Sequence, residues 1–162
     1  MGTLASKVSW NALTKGLVQN EKANEALDAF SEMVRKDAAC DEFTFSIILK
    51  ACASLPSFTS CQQIHAWIVK ANFDTNTHVG SSLIEVYTKC GSVEDAERVF
   101  SRISAPDVIS WNSVIKAYSQ NGNPRRAISL FRRVTDNGFR PTASTFLAVL
   151  SRLKDKIFKF FK

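Results

Sequence analysis

The stretch SWNSVIKAYSQNGNPRRAISLFRRV, residues 110–134, decides the fold. Its first half places Trp111, Val114, Ile115 and Tyr118 at i, i+3, i+4 and i+7, the spacing of one face of an α-helix. NGNP at 121–124 then supplies a glycine stop, an asparagine cap and a proline at the first position of a new helix. The stretch therefore reads as two helices joined by a tight turn.

The same signature occurs earlier, as VSWNAL at 8–13, and Trp10 and Trp111 stand 101 residues apart. Two units of 35 residues and one of 31 fill that gap. The chain then divides into an extension at 1–6, units at 7–41, 42–76, 77–107 and 108–142, and a remainder at 143–162. Position 20 of each unit holds a small residue (Ala26, Cys61, Ala96, Ala127) and position 7 an aliphatic one (Leu13, Ile48, Leu83, Val114). Two further columns agree: Ala29, Ile64, Val99 and Leu130 at position 23, and Met33, Ile68, Ile103 and Val134 at position 27. Phe45, Ile48, Leu49 and Cys52 repeat the helical spacing in the second unit. GSVED at 91–95 predicts a glycine stop followed by a capping box from Ser92 to Asp95, and LPS at 55–57 does similar work. No segment sustains strand alternation.

One helical pair cannot bury its own apolar stripe, so such units must stack side by side. The expected fold is all-α: a right-handed α-α solenoid of helix-turn-helix repeats. The small residue at position 20 would let the second helix of a unit approach the first closely.

The bulk numbers agree with this reading. A chain of 162 residues with 45% apolar and 22% charged residues is long enough for one domain with a core. No apolar run approaches the roughly 20 residues of a membrane helix, so no membrane partner is expected. MGTLASK at the start has neither signal-peptide nor transit-peptide character. The net charge of +6 favours a polyanionic partner. Cys40, Cys52, Cys61 and Cys90 form no C-x-x-C, which points to structural thiols in a reducing compartment. Cys61 and His65 share a helical face, but without further ligands they read as core rather than as a metal pair.

These units resemble the pentatricopeptide repeat family, in its plant type with alternating standard, long and short repeats. Residues 7–41 and 108–142 resemble standard units. EFTFSIILKACASL…CQQIHAWIVKANF in 42–76 resembles the long variant, and HVGSSLIEVYTKCGSVEDAERVFSRISAPDV at 78–108 the short one. The resemblance covers residues 7 to about 151. It implies single-stranded RNA binding in mitochondria or plastids, in RNA editing or processing. One base would be read per repeat, by position 5 together with the last residue of the repeat. Carried over, Asn11 with Asp41 resembles a uracil-preferring pair, Ser81 with Asp107 a guanine-preferring one and Ser46 with Asn76 an adenine-type one. Asn112 with Thr142 leans towards pyrimidine. Val8, Phe43, His78 and Ile109 hold position 2, which packs against the base; His78 departs from the aliphatic pattern there. Lys89 holds a position that tends to meet phosphate. Organellar RNA-editing accessory proteins are further partners the resemblance implies, and no cofactor or metal is expected.

Plainer roles compete for the same residues. Asp41, Asn76, Asp107 and Thr142 each precede a first helix and are good N-cap types. Asn11 and Asn112 could be solvated polar positions, whereas Trp10, Trp67 and Trp111 read as core packing. An appended zinc deaminase would need H-x-E and P-C-x-x-C. His65 is followed by Ala66-Trp67, His78 by Val79-Gly80, and P-C-x-x-C is absent, so the chain reads as a binding module rather than an enzyme. Two alternatives to RNA binding are a helical-repeat scaffold for protein partners and a non-functional fragment of a longer repeat protein. RLKDKIFKFFK at 152–162 breaks the pattern. Leu153, Ile157 and Phe160 could share a face there, as a capping helix or as a basic amphipathic tail.

Overall fold

The computed structural model describes residues 6–55 and 57–150. Among them there is no strand, and no helix is long and apolar enough to cross a membrane. The chain forms two compact units, Met1–Asp74 and Thr75–Lys162. The first contains α1 (Lys7–Gln19), α2 (Ala23–Arg35), α3 (Glu42–Ser54) and α4 (Phe58–Lys70). The second contains α5 (Thr77–Lys89), α6 (Val93–Arg102), α7 (Val108–Gln120) and α8 (Pro124–Asp136), and residues 143–150 are again helical. The reading of the tail at 152–162 lies outside the described residues, as does most of the extension at 1–6.

Each helix stops for a local reason. After α1, α5 and α7 the chain makes the same six-residue closure: Lys22 N–H donates to Leu17 O, Ser92 to Tyr87 and Asn123 to Tyr118, at 2.9–3.0 Å. That closure needs a left-handed residue, which Gly91 (φ 76°) and Gly122 (φ 86°) provide and Glu21 (φ 60°) accepts at some cost. Ser6, Asp41, Ser57, Asn76, Asp107 and Asn123 cap the helices that follow them, and Pro124 opens α8. The expected box at Ser92 does not form. The Ser92 hydroxyl donates to Asp95 Oδ2 at 2.6 Å but accepts no backbone N–H at the head of α6. Helix α6 has 10 residues where the other seven named helices have 13, which places much of the shortening of its unit in that helix.

Within each unit a first helix packs on its own second helix and on the next first helix: α1 on α2 and α3, and α5 on α6 and α7. The small-residue column is in the core: Ala26, Cys61, Ala96 and Ala127 are fully buried. A larger side chain there would have to push packed helices apart. Met33, Ile68, Ile103 and Val134 are buried beneath it. Position 7 divides: Ile48, Leu83 and Val114 are buried, while Leu13 is 51% exposed. The apolar column thus marks the face that stacks, and at α1 the described chain leaves that face open.

Trp10 and Trp111 are core residues as expected, and the edge of Phe100 meets Trp111 at 4.6 Å between ring centroids. Trp67 is only half-buried, with Lys70 Nζ 4.4 Å above its ring. Cys52 and Cys61 are buried, Cys40 and Cys90 are half-buried, and none of the four is in a disulfide.

A polar tie crosses three helices of the second unit. Glu97 of α6 accepts from the Tyr118 hydroxyl of α7 and from Arg126 of α8, the latter at 2.6 Å. Burial pushes the Tyr118 phenol up and the Glu97 carboxylate adds to it, to about 12. Burial also opposes charge on Glu97, but Tyr118 and Arg126 outweigh it and hold the carboxyl below its usual range.

Candidate nucleic-acid interface

The residues in question lie on the first helices of the units and on their caps. Asn11 sits in α1, one turn inside its start, and is 7% exposed. Asp41, 30 residues later, is the N-cap of α3. The fold brings them together: Asn11 Nδ2 donates to Asp41 Oδ1 at 3.5 Å. Thr44 completes the group. Its backbone N–H donates to Asp41 Oδ1 at 2.9 Å, its Oγ1 accepts from Asp41 N–H at 3.1 Å, and its hydroxyl lies 2.9 Å from Asn11 Oδ1. Lys7 pairs with the far oxygen of Asp41 at 2.8 Å. Burial raises the Asp41 pKa, but the Lys7 ammonium and the Thr44 backbone N–H outweigh it and bring the carboxyl down to about 2.

Ser81 and Asp107 belong to the second unit and are joined through a third side chain. Ser81 Oγ lies 2.9 Å from Ser110 Oγ, and the Ser110 hydroxyl donates to Asp107 Oδ1 at 2.7 Å. Ser81 also reaches the Thr77 carbonyl at 2.8 Å. A serine hydroxyl has one proton, and both neighbours can take it, so Ser81 Oγ keeps acceptor capacity for a ligand.

Asn112 and Thr142 also meet, with Asn112 Nδ2 donating to Thr142 Oγ1 at 3.3 Å. Here the other side of the amide differs from that of Asn11: Asn112 Oδ1 is buried and has no hydrogen-bond partner. Thr145, the counterpart of Thr44, accepts from Thr142 N–H at 2.8 Å and lies 3.1 Å from the Thr142 hydroxyl. Ser46, in the first unit, donates to the Glu42 carbonyl at 2.8 Å, and Asn76, in the second, caps α5 by accepting from Val79 N–H at 2.9 Å.

The position-2 residues are open to solvent: Val8 is 72% exposed, Phe43 52% and Ile109 63%, and His78 is exposed as well. Lys89 pairs with Glu85 at 3.7 Å. It lines a cavity of about 300 Å³ between α5 and α7, with Glu85, Thr88, Ser113, Lys116 and Gln120. Asp41, Asn76, Asp107 and Thr142 all act as caps, so the plain structural role is real, and at Asp41 and Thr142 it coexists with a hydrogen bond to position 5. Sequence reasoning missed Thr44, Ser110 and Thr145. Their signal was available: each is a hydroxyl at position 3 of a unit, where the third unit has Val79.

An all-helical chain of paired helices, with such polar groups recurring along its first helices, defines a helical-repeat protein. Models of the PPR repeat family match residues 5–54 and 106–155, and a PPR repeat model matches 81–105. The chain belongs to the pentatricopeptide repeat family. A pentatricopeptide repeat-containing protein of Arabidopsis thaliana is 41% identical over 145 residues, covering 90% of this chain and 20% of that protein. The Arabidopsis thaliana pentatricopeptide repeat-containing protein CRR2, chloroplastic, is 40% identical over 145 residues, covering 88% of this chain and 22% of that protein. The chain therefore spans about a fifth of the length of these relatives. Among solved structures, the pentatricopeptide repeat protein PPR10 in complex with an 18-nt psaJ RNA element matches with a TM-score of 0.75 and 21% identity, covering 90% of this chain and 22% of that one. PPR10 from maize matches with a TM-score of 0.63. This likeness shows the fold.

Proposed function

We propose that the chain binds single-stranded RNA with a base preference, in organellar RNA editing or processing, using one repeat per base. The observation that carries the reading is the meeting of Asn11 with Asp41 and of Asn112 with Thr142, each pair 30 residues apart in sequence. Hydrogen-bonding groups at both ends of a repeat converge beside an open apolar side chain, Val8 or Ile109. That combination suits a splayed-out base, which offers an apolar face and a polar edge. PPR10 was solved with an RNA bound, and relatives carry the names chloroplastic and mitochondrial, which supports the reading. On it, the repeats at 42–76 and 77–107 are the long and short variants, and the preferred target is uracil, any base, guanine, pyrimidine. Lys89 and the excess of basic residues would meet phosphate.

The test is a titration of the purified chain with single-stranded and duplex RNA carrying that target. Single strand should bind more tightly, and affinity should fall with salt by about 0.7 log units per log unit of salt for each phosphate neutralised. Asn11→Ala combined with Asn112→Ala should remove the base preference at the first and fourth repeats while the helical spectrum stays unchanged. Equal affinity for duplex and single strand overturns base reading.

A further inference from the structure

At the first and third repeats the hydroxyl at position 3 of the following repeat touches both members of the base-reading pair. Thr44 bridges Asn11 and Asp41, and Ser110 bridges Ser81 and Asp107. Both hydroxyls are buried, at 3% and 0% exposure, so solvent does not compete with these bonds.

Proton counting shows what Thr44 does. The Asp41 carboxylate can only accept, so it faces the NH₂ side of the Asn11 amide. Asn11 Oδ1 then points at Thr44 Oγ1, and no other hydrogen bond to it is present among the described residues. Asp41 Oδ1 already has the Thr44 N–H, and Asp41 Oδ2 has Lys7. The single Thr44 proton therefore goes to Asn11 Oδ1, the arrangement that leaves no buried acceptor empty. Inverting the amide would set Oδ1 against a carboxylate. Asn11 is thus held with one donor and acceptor polarity.

Asn112 lacks this restraint. Its neighbour Thr142 is a hydroxyl, which can accept from Nδ2 or donate to Oδ1, and the Thr145 hydroxyl lies beside Thr142 rather than at the amide. Its carbonyl oxygen is buried and unpartnered in the present orientation, so inversion gives up no hydrogen bond there. Either edge of the amide can be presented.

We propose that the buried position-3 hydroxyl is a positioning residue for base selection: Thr44 makes the first repeat selective, and its failure to be matched at Asn112 leaves the fourth repeat indifferent between pyrimidines. This rests on the base-reading function proposed above. Thr44 and Ser110 need not touch RNA; they set which hydrogen-bonding edge the reading residue offers.

The experiment measures dissociation constants for single-stranded RNAs varied only at the base facing the first or the fourth repeat. In the unaltered chain the uracil-to-cytosine preference should be roughly tenfold at the first repeat and within about twofold at the fourth. Thr44→Val should bring the first-repeat ratio down to about that of the fourth, and Thr44→Ser should restore it. A far-ultraviolet circular dichroism spectrum and urea midpoint close to those of the unaltered chain show that both variants are folded, and the guanine preference at the third repeat should persist in them. Should Thr44→Val unfold, Ser110→Ala puts the same question to Ser81, with loss of guanine preference expected. A folded Thr44→Val that keeps the full ratio, or a Thr44→Ser that fails to restore it, overturns the positioning role. Asn11→Ala separates this failure from that of base reading, since it abolishes the first-repeat preference if Asn11 reads the base and leaves it intact if it does not.

Discussion

Replacing Asp41 with asparagine isolates the charge at the best-defined polar cluster of the first unit. Asparagine caps a helix about as well as aspartate, so the head of α3 keeps its cap and loses the ion pair to Lys7. The folded-state pKa of Asp41 is about 2, against the usual 3.8 for the unfolded chain. A depressed carboxyl contributes stability that is fully present above the unfolded value and is lost as pH falls through the folded one. The window therefore runs from about pH 5 down to about pH 2. A difference of roughly 1.8 pH units corresponds to a ceiling of about 2.4 kcal/mol. The Asp41 side chain is 34% exposed and that of Lys7 43%, so solvent screening brings the expected value to about 1 kcal/mol. Urea denaturation of the full chain at pH 7, 5, 3.5 and 2.5 measures it. Asp41→Asn should be less stable by about that amount at pH 7, and the two curves should converge towards pH 2. A gap that stays constant across the range, or widens on acidification, refutes the electrostatic account and leaves only the cap.

Three further outcomes follow from packing and charge. Gly16 and Gly80 are both helical glycines, yet their substitution by alanine should have opposite signs. A Cβ at Gly16 meets nothing within 4 Å, so Gly16→Ala should stabilise by about 0.5–1 kcal/mol through helix propensity. A Cβ at Gly80 would lie 2.8 Å from Ile103 Cδ1 and Cγ1, and Gly80→Ala should destabilise by about 1 kcal/mol or more despite the same propensity gain. Urea midpoints of the two variants check both signs. Glu97→Gln should lower the ionisation midpoint of Tyr118 from about 12, because a neutral amide no longer disfavours the phenolate. Ultraviolet titration of tyrosinate reads this directly, and an unmoved midpoint would mean that burial alone sets it.

The helix pairs were legible because their cause is local. Apolar spacing at Trp111, Val114, Ile115 and Tyr118, the stop at Gly122 and the cap and proline at Asn123-Pro124 act within a few residues of one another. The buried column of Ala26, Cys61, Ala96 and Ala127 was legible because repetition shows the same constraint several times. Ser92 misled because the spacing predicts that its side chain meets Asp95, as it does, but not whether its oxygen also faces a backbone N–H, which it does not.

What the sequence by itself determined is therefore the helical repeat, its caps and the apolar face on which it stacks. The two Ser-Trp-Asn segments also show the limit of that knowledge. Their tryptophans are both buried, but their asparagines differ: Asn11 is bound on both edges, and Asn112 on one. Only the tertiary structure decided this, since it depends on the carboxylate that ends the same repeat and a hydroxyl of the next repeat both reaching one amide, while at the other amide the corresponding hydroxyls leave the oxygen unpaired. The Glu97 tie to Tyr118 and Arg126 has the same origin, crossing 21 and 29 residues of chain. Hydrogen-bond polarity is set by which groups meet in space: the recurring hydroxyl at position 3 is visible in the sequence, but which amide edge it reaches is not.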